Sequence, residues 1–356
     1  MEDAGGCLSM PVVEGHGDEE ECTDLEPFFF DEASAVADHE RRVRREQEAA
    51  RKEELRALTL KAQIEGRASV RDYDPKQGGT YYTRFFSIDF SKFNINEEST
   101  LGPMRHTCKP GPLSEAVNIL SVRVASSDVG FPIHVYGTVI ARDTIDRKCV
   151  YLFRCDRDHS QLINSEDESL ILTGPKRGLM LLDDAFVEID LKIKDHQGQE
   201  KELSKGFISI SGITCRLVTK SKIERKSLAT RLSTMEVMYA VVEGAVEATI
   251  SIEVLWGNFS GTITASTTSI RDGLLLYDSK VAGAMTSVGI GVMHLLQRVV
   301  SVSLVEKLLV TFVARIGDHE HKRTIGFTPN RNGGGERKIT VGVTKLLVKV
   351  VWSTIM

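Results

Sequence analysis

Alternation with a period of two constrains this chain more than any other feature. Val187, Ile189, Leu191 and Ile193 are apolar, while Glu188, Asp190, Lys192 and Lys194 between and after them are charged. Successive side chains on a strand point to opposite faces, whereas a helix repeats every 3.6 residues, so this run is a half-buried strand. The pattern returns at Ile250, Ile252 and Val254 against Ser251 and Glu253, and again at Leu346, Val348, Val350 and Trp352. These odd-numbered positions of 187–193, and both tryptophans, Trp256 and Trp352, are expected to face a core by parity.

Strand-like runs follow one another at 117–126, 132–142, 148–154, 168–173, 185–195, 202–210, 213–219, 234–243, 245–256, 261–269, 273–280, 292–303, 306–316, 322–328 and 338–353. Turn residues such as Gln197-Gly198, Gly257-Asn258 and Asn332-Gly333-Gly334-Gly335 separate them. Many short strands without intervening helices predict a mainly β fold, an antiparallel β-sandwich or barrel-like domain over 117–356, with room for two packed sublobes.

The region before it has a different composition. Residues 1–32 hold eleven Asp or Glu and no Lys or Arg; the rest of the chain has 39 acidic and 45 basic residues, so the net −5 of the whole becomes +6. Such a block of like charge reads as a solvated, disordered tail over 1–31. It is interrupted by Phe28, Phe29 and Phe30, whose rings either dock onto a partner or staple the tail to the following helix. Residues 32–66 lack proline and internal glycine, are rich in Ala, Arg and Glu, and are preceded by Asp31 as an N-cap, which predicts a long charged α-helix. Val36, Val43, Ala50, Ala57 and Ile64 give it a thin apolar stripe whose flanks are charged, so a solvated helix resting on one narrow face is expected, not a dimerisation helix. Asp74 to Gly79 reads as a turn within a linker, 67–116, whose first strand is expected at Phe86, Ile88 and Phe90.

No stretch approaches the roughly 18 apolar residues that cross a bilayer, and Met1-Glu2-Asp3-Ala4 carries no secretory signal. The six cysteines are scattered without a Cys-x-x-Cys pair, which suits reduced thiols. A cytoplasmic protein is expected, with the nucleus as a second location.

Chemical motifs are weak. Glu48-Ala49-Ala50-Arg51 and Glu53-Glu54-Leu55-Arg56 match the Glu-x-x-Arg core of ribosome-inactivating N-glycosidases, but a helix charged on nearly every side cannot enclose them. Asp318-His319-Glu320-His321 has metal-ligand residue types yet falls between strands, where polar residues gather anyway, so no metal is assigned. Gly174-Pro175-Lys176-Arg177-Gly178 is a turn first and an anion site second. The densest polar cluster is Arg154, Asp156, Asp158 and His159, with Cys155 and Arg157 among them; it is the candidate binding cluster, and its concavity would decide whether it is catalytic. No phosphate-binding glycine loop or nucleophile elbow is present, so no cofactor and no catalytic residue is assigned.

Ser121 to Pro132, Val135 to Asp143, Tyr151 to Arg154 and Leu170 to Pro175, with Ala245 to Ile250, Asp278 to Gly283 and Val341 to Lys345, resemble a plant domain of unknown function, family 6598, over about 117–353. The resemblance implies a β-rich plant domain, sometimes joined to a ribosome-inactivating toxin domain, without a catalytic residue to carry over. The expected function is non-catalytic recognition of a macromolecular partner, a protein and not nucleic acid or membrane. The alternative is a toxin-associated or hydrolytic module acting on RNA or a glycoside.

Overall fold

A computed structural model describes residues 31–103, 112–194, 198–212, 223–281, 291–317 and 319–355. Phe28, Phe29 and Phe30, the acidic tail before Asp31, the run 213–219 and Asp318 lie outside them. The chain divides into two compact units, Met1–Thr59 and Leu60–Met356.

One α-helix spans Glu32–Ser69 and buries none of its residues. Asp31 caps it as expected, its carboxylate accepting from the Ala33 N–H at 3.1 Å. Asp38 and Arg41, 3.7 Å apart, are both largely exposed, so they contribute little. The expected stop at Gly66 is overrun by one turn. The Phe90 ring packs where a side chain at Gly66 would stand, and Gln63 donates to Asp89 at 2.5 Å.

The β-region consists of two sandwiches in chain order, with no closed barrel among the described residues. In the first lobe one sheet runs Ile223–Thr230, Ser233–Val242, Ala116–Ser127, Leu179–Met180. The other runs Val150–Cys155, Ile133–Arg142, Asp184–Lys194, Glu200–Ser211, with Gln161–Ile163 beside Ile133–Arg142. Every pairing is antiparallel. Val187, Ile189, Leu191 and Ile193 are all buried between these sheets, as their alternation predicts. Ile189 lies opposite Val139 on one neighbour and Gly206 on the other. At Gly137, with φ +120°, a Cβ would overlap the Asp190 carbonyl of the adjacent strand, so only glycine lets the two backbones approach there.

The second lobe repeats the scheme. One sheet holds Gly291–Val292, Ala245–Trp256, Thr344–Thr354 and Gly333–Val341, with Val299–Ser303 also paired to Ala245–Trp256. The other holds Leu274–Asp278, Gly261–Thr267, Leu308–Ile316 and His319–Phe327. Its core includes Ile250, Ile252, Val254, Phe312, Val348 and Trp352. The lobes meet through Ala116, Ala240, Val242, Ala245, Ile270 and Ile355. Asn118 and Ser301 exchange two hydrogen bonds across this contact, at 2.8 and 2.9 Å. Buried Glu247 accepts from the Gly178 N–H at 2.5 Å and the Ser353 hydroxyl at 3.0 Å.

Five local expectations need correction. The run 292–303 is not one strand but two, Gly291–Val292 and Val299–Ser303, paired with different stretches of Ala245–Trp256. Phe86, Ile88 and Phe90 form no strand; the linker strands are a short hairpin, Arg71–Asp74 with Gly79–Tyr82, turned by the expected Asp74 to Gly79 segment. Aromatic stacking replaces ladder bonds there: Phe86 lies on Tyr82 and Phe85 on Phe186, with ring centroids 3.8 and 4.2 Å apart. The run 168–173 also forms no regular strand. Its backbone bonds both sheets of the first lobe, Leu170 to Val122 and Thr173 to Leu152, so it crosses between them. Residues 338–353 are not one strand but two, turned at Gly342 and Val343, and the three glycines expected as a turn stand in the first of them. Finally, Trp256 is exposed. A register shift between Val254 and Trp256 inserts Leu255 as an extra residue and reverses the parity of everything after it.

Candidate functional site

The polar groups of the first lobe sort into local turns and buried pairs. Arg154 places its guanidinium 3.4 Å from the centre of the Tyr151 ring and 3.7 Å from Glu98. Asp156 accepts from the backbone N–H groups of Asp158 and His159 and from His159 Nδ1, at 3.0, 2.9 and 2.8 Å, which closes a solvated turn. Arg154 therefore faces Glu98 while Asp156 and His159 engage each other, and Asp158 is exposed beside them. Cys155 donates its thiol to the His159 carbonyl. Burial, aided by the negative charge of Asp156, pushes that thiol's pKa up, away from the thiolate a nucleophile requires.

A third layer, which the sequence does not announce, holds the strongest ionic groups. The segment from Thr83 to Ser99 lies over the outer face of the Asp184–Lys194 sheet. Glu188, on the charged parity, is 4% exposed there. Its carboxylate accepts from Arg142 Nε at 2.6 Å, Arg84 Nε at 2.7 Å and the Phe85 N–H at 3.1 Å. Arg142, 1% exposed, also donates to the carbonyls of Arg147 and Ile95. Beside it Arg177 spans both oxygens of Asp143, at 2.6 and 2.9 Å, and reaches Asp146 at 3.1 Å. Lys176 pairs with Glu98 at 2.7 Å. The glycine-bounded turn 174–178 thus gives its cations to this chain's own carboxylates. These pairs clamp the covering segment onto the sheet and leave no charged group free to act on a ligand at those positions.

Burial drives the Asp146 carboxyl up, but hydrogen bonds from Ser99 and the Lys148 N–H and the charge of Arg177 outweigh it and hold it below the usual carboxylate range. A carboxyl depressed in the folded state stabilises it above the unfolded pKa of about 4, and that contribution is lost as pH falls through the folded value. Asp146→Asn should therefore lower the melting temperature near neutral pH, and its difference from wild type should narrow as pH falls below about 4. A difference that stays constant over that range contradicts the assignment.

Chemistry open to solvent lies in the second lobe. His319 and His321 begin the strand His319–Phe327 on one side, whereas Glu320 points to the other and bonds Arg315 at 3.2 Å. Among the described residues no group of three His, Cys, Asp or Glu could hold a metal. A cleft of about 550 Å³ separates this strand from Gly333–Val341 and is lined by Ile316, Glu320, His321, Lys322, Arg323 and Thr340, among others. Among the described residues neither His321, Lys322 nor Arg323 has an ion-pair partner. Trp256, 61% exposed, lies opposite Lys345, which in turn lies opposite Thr340 of the cleft wall. Two strand spacings put the Trp256 backbone about 10 Å from that of Thr340. Val343, 57% exposed, stands at the neighbouring turn, where its backbone carbonyl approaches Gly257 next to Trp256. The one sequence signal for the exposed indole was the unbroken run Val254-Leu255-Trp256, where alternation fails.

Residues 116–350 match the model of a family described as a domain of unknown function (DUF6598), and the chain belongs to that family. No curated protein matches it. Among solved structures, a calcium-bound pair of C2 domains from extended synaptotagmin 2 is similar at 8% identity over 70% of this chain and 99% of that one, with a TM-score of 0.24. Human GIVD cytosolic phospholipase A2 in complex with methyl γ-linolenyl fluorophosphonate is similar at 9% identity over 69% of this chain and 33% of that one, with a TM-score of 0.21. Scores this low assign neither a ligand nor an activity.

Proposed function

We propose that the chain is a non-catalytic, β-rich interaction domain of a plant protein that binds another protein through the Trp256 end of its second lobe. One observation carries this reading: a bulge turns a tryptophan out of the core onto the exposed face of its sheet, opposite Lys345. An exposed indole costs solvation free energy unless another surface covers it, and Trp and Arg are the residues that dominate protein interfaces. The buried pairing of Arg142, Glu188, Arg177 and Asp143 supports a structural use of the ionic groups in the first lobe. No described helix is long and apolar enough to cross a membrane. Cys149 and Cys155 are both free thiols, which accords with the cytoplasm or nucleus.

Trp256→Ala should weaken capture of the native partner by about tenfold or more, the usual effect of losing an interface hot spot. Its melting temperature should stay within a few degrees of wild type, because an exposed side chain adds little to the core. Quantitative cross-linking in native extract, run beside a thermal melt, reads both. A partner retained at full affinity by Trp256→Ala would refute this site.

A further inference from the structure

The two lobes treat their matching sheet edges differently. In the first, the edge strands Glu200–Ser211 and Ile223–Thr230 are laced together: Ser204 and Thr230 share a hydrogen bond at 2.9 Å, the Lys205 N–H donates to Thr230 Oγ1 at 3.1 Å, and Lys226 reaches the Ser209 carbonyl at 2.6 Å. Leu228 fills the space left by Gly206. In the second, His319–Phe327 and Gly333–Val341 end their sheets in the same way, yet among the described residues no hydrogen bond or ion pair joins them. Each residue from His319 to Thr324 and from Gly333 to Lys338 is exposed. A free edge presents a row of unpaired N–H and C=O groups, which another strand satisfies and a lipid or nucleic-acid surface does not.

We propose that His319–Phe327 is a docking edge that takes an extended acidic peptide segment of a partner protein as an added strand, with carboxylates at alternate positions. This rests on the interaction reading above and specifies its partner. The side chains set the chemistry. His321 and Arg323, with the parity of core-facing Ile325 and Phe327, line the cleft; His319 shares that parity, and Arg337 places its guanidinium 5.9 Å from the Phe327 ring. An incoming strand places every second side chain on that side, where a carboxylate meets a cation without a competing internal partner. Glu320 also borders the cleft, but it is on the opposite parity of the strand and Arg315 donates to its carboxylate. A second copy of the chain is a poor occupant, since pairing this strand with itself would bring its cations together. Charged residues on an edge also discourage aggregation, and that simpler role predicts no peptide binding.

The test uses the full chain and a fluorescent peptide of alternating Glu and Thr, read by anisotropy and by backbone hydrogen exchange. The expected result is saturable binding with slowed exchange at 319–324, weakened about tenfold or more by His321→Glu with Arg323→Glu. N-methylation of alternate peptide amides, which keeps every charge but removes strand-forming donors, should weaken binding comparably. Equal binding of the N-methylated peptide, indifference to charge reversal, or binding of phosphatidylserine vesicles or single-stranded DNA with none of the peptide would each overturn strand addition. If Trp256→Ala still loses the native partner while the peptide fails, the interaction reading stands and this one falls. Thermal melts of the charge-reversed variant show that it is folded.

Discussion

Glu188→Ala is expected to lower the unfolding free energy by about 3–5 kcal/mol, the range for removing one partner of a buried ion pair. The carboxylate is shared by two guanidiniums, and one of them, on Arg142, is as inaccessible as a core leucine. Without Glu188, Arg142 keeps only neutral acceptors, the carbonyls of Ile95 and Arg147 and the Cys149 sulfur. Its charge would then be buried without compensation, and the Phe85 N–H would lose its acceptor as well. Urea unfolding should show a reduced midpoint, and hydrogen exchange should accelerate first in residues 84–99, which the pair fastens to the sheet. Glu188→Gln, which keeps the acceptor but not the charge, should fall between. The double change Glu188→Leu with Arg142→Met should cost less than Glu188→Ala, because an apolar pair leaves nothing uncompensated. An unchanged midpoint in Glu188→Ala would mean that the network does not hold the covering segment.

That network also marks where reading the sequence stops. Val187, Ile189, Leu191 and Ile193 were legible because a strand's two faces are written into neighbouring residues, and the helix was legible because its cap and composition are local too. Glu188 has the same sequence signature as Asp190, a charge on the outward parity, yet one is buried and the other exposed. The difference is made by Arg84 and Ile95, about a hundred and about fifty residues away from Glu188 and Arg142 in turn, and no periodicity within a strand contains them. Trp256 failed for the opposite reason. The parity rule was sound up to Val254, and one inserted residue inverted it. The candidate surface of the second lobe was illegible because it depends on which edge strands stay unpaired, a property of topology, not of any segment.

The largest effect is expected one residue from Glu188. Ile189→Asp should cost about 5 kcal/mol or more, since it removes a packed aliphatic side chain and places a carboxylate where no donor can reach it. Ile189 is 1% exposed and stands between the sheets of the first lobe, opposite Val139 and Gly206. A loss of this size approaches the whole stability of a typical domain, about 5–15 kcal/mol, so the first lobe should be largely unfolded or melt more than about 10 °C lower. Burial would raise the pKa of the new carboxyl, so its neutral form is the one the fold tolerates. The penalty should accordingly grow as pH rises through that raised value and shrink on acidification toward pH 4, until the chain's own carboxylates begin to protonate. Ile189→Val, which keeps an apolar side chain, should cost only about 0.5–1.5 kcal/mol. Carboxylates on adjacent residues of one strand would then have opposite consequences, that of Glu188 fastening a layer to the sheet and that of the Ile189→Asp variant dissolving the core behind it, because alternation sends them to different solvents. Melting of Ile189→Asp indistinguishable from wild type would place the residue on the wrong face and break the register on which both expectations depend.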